Sequence, residues 1–422
     1  MHDHLNTALY ALQPSPIRAF SALAAETPDC VRLTLGEPDF ATPEPVCAAV
    51  SEALAAGETH YIENSGTRAL REAICAYERA QHGFACDADD VIVTDGANEA
   101  LFVALFGILN PGDEVIVPTP AFLLYERIIA LCRATFVPMD TTADGYQLRE
   151  ENLLRHVTHR TKAIVLNSPN NPTGCVLDRE SLETVRRLVR QREIFVICDD
   201  VYRSLSYTDD YHSFSEFTDV REKTLLVQSF SKTYAMTGWR MGYLISDPRV
   251  RERLALLHQF LVTSTPAPFQ RACIAALRTD PAPMRAAYAE RRDVVLRALR
   301  DMGLETAAPQ GAFYVFPSIR RFGMDSTTFC TRLLREQHVA VTPGVAFGAD
   351  DHIRISYCTD HQTLQRGLDR LAAFVNSLWT PFVAAYAGCS MILVGADIIR
   401  PRGTQQNLLR TRANTHKAFC CF

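Results

Sequence analysis

The stretch Ile194 to Asp200, "IFVICDD", decides the fold. Its first five residues are apolar without a break, the pattern of a strand covered on both faces rather than one with a wet side. Similar short runs flank it: "VIVTDG" (91–96), "EVIVP" (114–118), "ATFVPM" (134–139), "AIVLN" (163–167) and "LLVQSF" (225–230). Helix-length segments separate them. "NEALFVALFGIL" (98–109) is apolar nearly all round, whereas "ESLETVRRLVRQ" (180–191) carries one apolar stripe. Strands alternating with helices predict an α/β fold whose mainly parallel sheet is covered on both faces. Between "LLVQSF" and "GYLIS" (242–246) there is too little chain for a helical crossover, so the last strand is expected to run antiparallel.

The rest of the chain sets the limits. With 422 residues and 47% hydrophobic content it has ample material for a core. A net charge of -5, without a long run of one sign before the mildly basic end, argues against a nucleic-acid partner. Thirteen cysteines, an odd number with no CxxC pair, read as small apolar fillers in a reduced, cytoplasmic protein. The opening "MHDHLNTALYALQPSP" has neither a basic start nor a long apolar run, so no secretory signal is expected.

After about residue 275 the texture changes to an amphipathic helix (284–299), "GAFYVFPSI", a helix around 326–337, "VAVTPGVAFG", "HIRISYC" and a closing helix near 360–378. We expect an N-terminal arm and part of a small domain over 1–45, a large domain over 46–275, and a smaller α+β domain over 276–379. The tail 380–422 is of uncertain structure. Its apolar run "FVAAYAGCSMILVGA" (382–396) has 15 residues, short of a bilayer span, so a packed helix or irregular extension is expected and no membrane partner.

The chemistry centres on Lys232. Only four of the 43 basic residues are lysines (Lys162, Lys223, Lys232, Lys417), and Lys232 stands just past a strand end among Ser229, Ser231, Thr233 and Tyr234. Arginine supplies charge equally well, but only a lysine amine can lose its proton and attack a carbonyl. Pyridoxal 5'-phosphate (PLP) is the common aldehyde for such a lysine, and its site also needs a pyridinium partner, a ring support and a phosphate cradle. Asp199, at the carboxyl edge of a parallel sheet where ligands of such folds bind, would hold the ring nitrogen protonated; alone, Asp-Asp reads as a turn or cap. Tyr202 and Asn171, the latter in the turn "NSPNNPTG" (167–174), would reach the ring 3'-oxygen. Gly96, Ala97 and Asn98 open a helix whose free N–H groups attract an anion, and Ser229 and Arg240 add a hydroxyl and a guanidinium. Metal-ligand spacing is not apparent.

These residues resemble the fold-type I PLP enzymes, specifically the class I/II aminotransferases of the aspartate and aromatic aminotransferase group. The resemblance spans roughly residues 15–378 through "GEPDF", "HYIENSGTRALREAI", "GANEAL", "PGDEVIVPTPAF", "NSPNNPTG", "CDDVY", "SFSKTYAMTGWRMGY", "PQGAFYVF" and "IRISYC". It implies a mainly parallel seven-stranded sheet in the large domain and an internal aldimine at Lys232, which then shuttles the substrate's α proton. It further implies Asp199 on the pyridinium, Tyr202 and Asn171 on the 3'-oxygen, and Phe122 stacked on the ring. Gly96, Ala97, Asn98, Ser229 and Arg240 would hold the phosphate, with Tyr61 reaching that of a neighbouring subunit in a homodimer. Arg354 would clamp the substrate α-carboxylate beside Asn171 and Gly36; without the resemblance Arg354 reads as a rim salt bridge. The implied reaction is ping-pong transfer of an amino group between an L-amino acid and a 2-oxo acid, in amino acid metabolism. Rival readings on the same cofactor are a C–S lyase, a cyclopropane-forming synthase and an amino-acid-cyclising enzyme. A PLP-binding regulator fits less well, since the resemblance begins near residue 15 and leaves no room for a DNA-binding domain.

Overall fold

The computed structural model describes residues 4–387 of the chain. Residues 1–377 form one compact unit. The second unit, 378–422, is described only as the end of the helix His361–Ala387, so most of the tail read above as helix or extension lies outside the described residues. Among the described residues no helix is long and apolar enough to cross a membrane.

In chain order the strands are β1 (Val31–Arg32), β2 (Val91–Thr94), β3 (Glu114–Thr119), β4 (Thr135–Asp140), β5 (Thr161–Asn167), β6 (Phe195–Asp199), β7 (Thr224–Ser229), β8 (Gly242–Ile245), β9 (Tyr314–Val315), β10 (Val339–Ala340), β11 (Thr342–Pro343) and β12 (Ile353–Ser356). Strands β2 to β8 form one seven-stranded sheet in the order β2-β8-β7-β6-β5-β3-β4. The stretch Ile194 to Asp200 thus runs through its centre. Every neighbour pair is parallel except those made by β8, which lies antiparallel to both β2 and β7 as the short connection requires.

The unbroken apolar runs have a packing cause. In β6, Val196 and Cys198 join one core cluster while Ile197 joins another; in β2, Val91 and Val93 face the first and Ile92 the second. Helices Arg68–His82, Arg179–Gln191 and Ala267–Ala276 cover the first face, and Gly96–Ile108, Leu124–Leu131 and Pro248–Val262 cover the second. Each such fully buried aliphatic side chain contributes about 1.5–3 kcal/mol.

The later elements build a smaller sheet, β11-β12-β9, antiparallel throughout, and β1 pairs parallel with β10, Val31 opposite Val339. Residues near the N-terminus are therefore tied to the C-terminal third of the chain. This pairing carries Thr34, Leu35 and Gly36 to the carboxyl edge of the large sheet.

Candidate active site

A cleft of about 260 Å3 opens at that edge, where Asn167, Asp199 and Ser229 end β5, β6 and β7. Asp199 is the last residue of β6. It is buried, and Tyr125 on the helix Leu124–Leu131 donates its hydroxyl to Oδ2 at 2.5 Å, while Oδ1 has no hydrogen-bond partner. Burial pushes the carboxyl pKa up to about 6, against the pull of the Tyr125 hydroxyl and the Val201 N–H. A buried carboxylate with an open oxygen calls for a cation or a donor.

Lys232 sits on the single helical turn Phe230–Thr233, which begins where β7 ends. Ser229 caps that turn, its Oγ accepting the Ser231 N–H at 3.1 Å. The Lys232 amine is half-buried and donates to the Gly36 carbonyl at 2.5 Å. Desolvation lowers its pKa to about 8; the charges of Arg240 and Arg354 act in the same direction, and Cys358 and Glu37 oppose them. A much larger fraction of this amine is neutral and nucleophilic than of a surface lysine. Gly36 must be glycine here, because a Cβ would lie 2.0 Å from Tyr314 Oη.

The next strand, β8, returns at once, and its Gly242 pairs with both Thr94 and Ser229. A Cβ on Gly242 would lie 3.0 Å from the Ala97 nitrogen, so the end of this loop is pressed against the start of the helix Gly96–Ile108. Arg240 enters the same corner. A Cβ on Gly96, which already has φ +75°, would lie 2.5 Å from Arg240 Nη2. Ser229, Ala97, Asn98 and Arg240 all line this end of the cleft. The helix N-terminus and the guanidinium make it a seat for an oxyanion.

At the other end Arg354 projects from β12. It is 3% exposed, with Nη1 donating to Asn171 Oδ1 at 2.9 Å and Nη2 to the Thr34 carbonyl at 2.6 Å. Its guanidinium stacks over Tyr314 and Phe347, and Nε has no partner. Among the described residues its side-chain hydrogen bonds go to neutral oxygens only, which leaves a buried cation open to an anionic ligand rather than closed in a rim salt bridge. Asn167 holds the intervening turn: Nδ2 donates to the Asp199 carbonyl and Oδ1 accepts the Asn171 N–H. Tyr202 is buried and shares a 2.9 Å hydrogen bond with Tyr314 through their hydroxyls, and Phe122 lies edge-on to Tyr125.

Gly36, Ala97, Asn98, Phe122, Asn171, Asp199, Tyr202, Ser229, Lys232, Arg240 and Arg354 all line this one cleft, and Gly96 lies directly behind its oxyanion end. Tyr61 does not. It is 88% exposed and outside the lining. Sequence reading missed Tyr125, Tyr314, Asn167, Ile17, Thr34 and Leu35. Tyr125 in "AFLLYERI" reads as one more core position on a helix, and the destination of its hydroxyl is a contact made 74 residues away.

Residues 28–371 match the family model for aminotransferase class I and II. The chain is 38% identical to a probable N-acetyl-LL-diaminopimelate aminotransferase of Bacillus subtilis, over 89% of this chain and 96% of that one. It is 38% identical to the aspartate/prephenate aminotransferase of Thermus thermophilus, over 87% and 98%. Among solved structures, an aspartate aminotransferase from Thermus thermophilus with maleate superposes with a TM-score of 0.84 at 37% identity, over 87% of this chain and 99% of that one.

Proposed function

We propose, for a chain that belongs to the class I and II aminotransferase family, that the cleft between Asp199, Lys232 and Arg354 is where the amino group changes hands. The protein is a PLP-dependent aminotransferase, which moves an amino group between an L-amino acid and a 2-oxo acid in two half-reactions. When bound, PLP supplies an aldehyde to receive the amino group and a ring to accept the electron pair left as the α proton departs.

The residues present fit that cofactor. The open Oδ1 of Asp199 suits a protonated ring nitrogen, and the amine of Lys232 suits the aldehyde. The corner of Gly96, Ala97, Asn98, Ser229 and Arg240 suits the phosphate. In this reading Tyr202 and Asn171 steady the 3'-oxygen and Phe122 covers one ring face. Arg354, with Asn171 and the Gly36 backbone, holds the substrate α-carboxylate. Fixing the carboxylate and the amino group together orients the Cα–H bond toward Lys232, whose amine takes the proton from Cα and returns it in the reverse sense. Tyr61, by its exposure, fits a contribution to a second copy of the chain, so the working form is a homodimer, and its setting is the cytoplasm.

The observation that carries this reading is the Lys232 amine, its pKa lowered to about 8 and its site in the same cleft as a buried carboxylate and a buried guanidinium that each keep an atom unpartnered. The test is a panel of amino donors with 2-oxoglutarate or pyruvate. Oxo-acid product that depends on the acceptor is expected, and Lys232→Ala should abolish it. Ammonia and pyruvate released from a sulfur amino acid without any acceptor would mark a lyase instead.

A further inference from the structure

A second cleft, of about 430 Å3, shares no residue with the first. It opens where the helix Arg68–His82, the turn Arg203–Leu205 with the chain just after it, and residues 277–285 meet. Its rim carries more positive than negative charge, and the guanidinium in its wall is already paired with Glu78. Arg278 and Arg285 stand exposed at the rim, in no ion pair among the described residues, and Arg203 lies in the wall; Asp280 is the single carboxylate of the described lining. Hydroxyls of Ser204, Ser206, Thr208 and Thr279 complete the surface.

The wall has unmet hydrogen-bonding capacity. The Arg203 side chain is 1% exposed; Nη2 donates to Glu78 and Nη1 lies 3.9 Å from Asp200, yet Nε and Nη1 make no hydrogen bond. His82 Nε2 is likewise buried without a partner, as is Oε2 of Glu78 behind Arg203. Burial and the Arg203 charge push the His82 pKa down to about 3, so the ring is neutral and can donate or accept. Buried polar atoms left open in this way are few in proteins, and they gather here beside two unpaired guanidiniums.

The geometry points to a binding site for a small dianionic oxyanion, a phosphate monoester or a dicarboxylate, held between Arg278, Arg285 and the wall of Arg203 and His82. Planar guanidinium forks match both head groups, and the volume leaves room for a polar body against the hydroxyls. The site stands apart from the transaminase cleft and does not depend on how that cleft works. It does abut the same turn, since Arg203 directly follows Tyr202.

The test is calorimetric titration of the PLP-loaded protein with inorganic phosphate, in wild type, Arg354→Gln and the double variant Arg278→Gln/Arg285→Gln. One saturable phosphate per chain is expected in wild type and in Arg354→Gln, weakened at least about tenfold in the double variant, whose transaminase turnover stays unchanged. Malonate titrated into Arg354→Gln, where the first cleft has lost its clamp, shows by tighter or weaker binding than phosphate which head group the site prefers. Binding that vanishes in Arg354→Gln and survives in the double variant belongs to the first cleft and overturns the proposal. So does the absence of saturable binding by either anion.

Discussion

Replacing Asp199 by asparagine should make the cofactor-free protein more stable while it ruins the enzyme. The carboxyl is buried, with one oxygen unpartnered, and its pKa stands at about 6 against an ordinary 3.8. That rise of about two units, at ~1.4 kcal/mol each, makes the ionised form cost ~3 kcal/mol of folding free energy at neutral pH. A carboxyl held above its unfolded pKa costs nothing while both states are protonated. The cost grows as pH climbs from 3.8 to about 6 and is complete above that window. Asparagine keeps an oxygen to accept the Tyr125 hydroxyl and carries no charge, but its amide needs a new partner, so the net gain should be ~1–2 kcal/mol. The assay is urea denaturation of cofactor-stripped wild type and Asp199→Asn at equal chain concentration, near pH 4 and near pH 7.5. The gap should move in the variant's favour by ~2–3 kcal/mol from the acid to the neutral end, so that the variant is the less stable protein near pH 4 and the more stable one near pH 7.5, while its turnover collapses. A variant no more stable than wild type at neutral pH would refute the reasoning, as would a gap that acid does not close.

Two further expectations concern neighbouring groups. Only neutral Lys232 attacks an aldehyde, so covalent capture of PLP by the stripped protein should accelerate with pH until about 8 and then level off; a rate still climbing toward 10.5 would contradict the lowered pKa. Gly36→Ala places a Cβ 2.0 Å from Tyr314 Oη, and moving the backbone aside should cut kcat/KM by about 100-fold. Combining it with Tyr314→Phe, which removes the clashing oxygen, should restore part of that loss, and full activity in the single variant would show the contact is not made.

The strands were legible because their apolar runs answer to two cores, a constraint local enough to mark each run. The direction of β8 was legible from chain length alone. Lys232, Asp199 and Arg240 could be read because each sits beside a strand end in a chemically odd setting. Tyr125 and Tyr314 could not. Both occupy apolar segments where a tyrosine looks like any large core residue, and their hydroxyls acquire meaning only when Asp199 and Gly36 arrive from 74 and 278 positions away. Arg354 was ambiguous for a related reason: burial, which turns a surface ion pair into an open cation, depends on β12 being enclosed by strands and loops distant in sequence.

The reversed strand β8 has a consequence for how the site can vary. A parallel crossover would have carried the chain to the opposite edge of the sheet before the next strand began. Because β8 runs backward, Lys232 and Arg240 are held at one edge by a single stretch of eight steps, with only the short 3-10 turn Thr237–Trp239 between them and no crossover helix. The reach from the reactive amine to the oxyanion seat is therefore set by the contour of that stretch. One inserted residue adds up to ~3.5 Å, enough to lose register with any ligand that engages both ends.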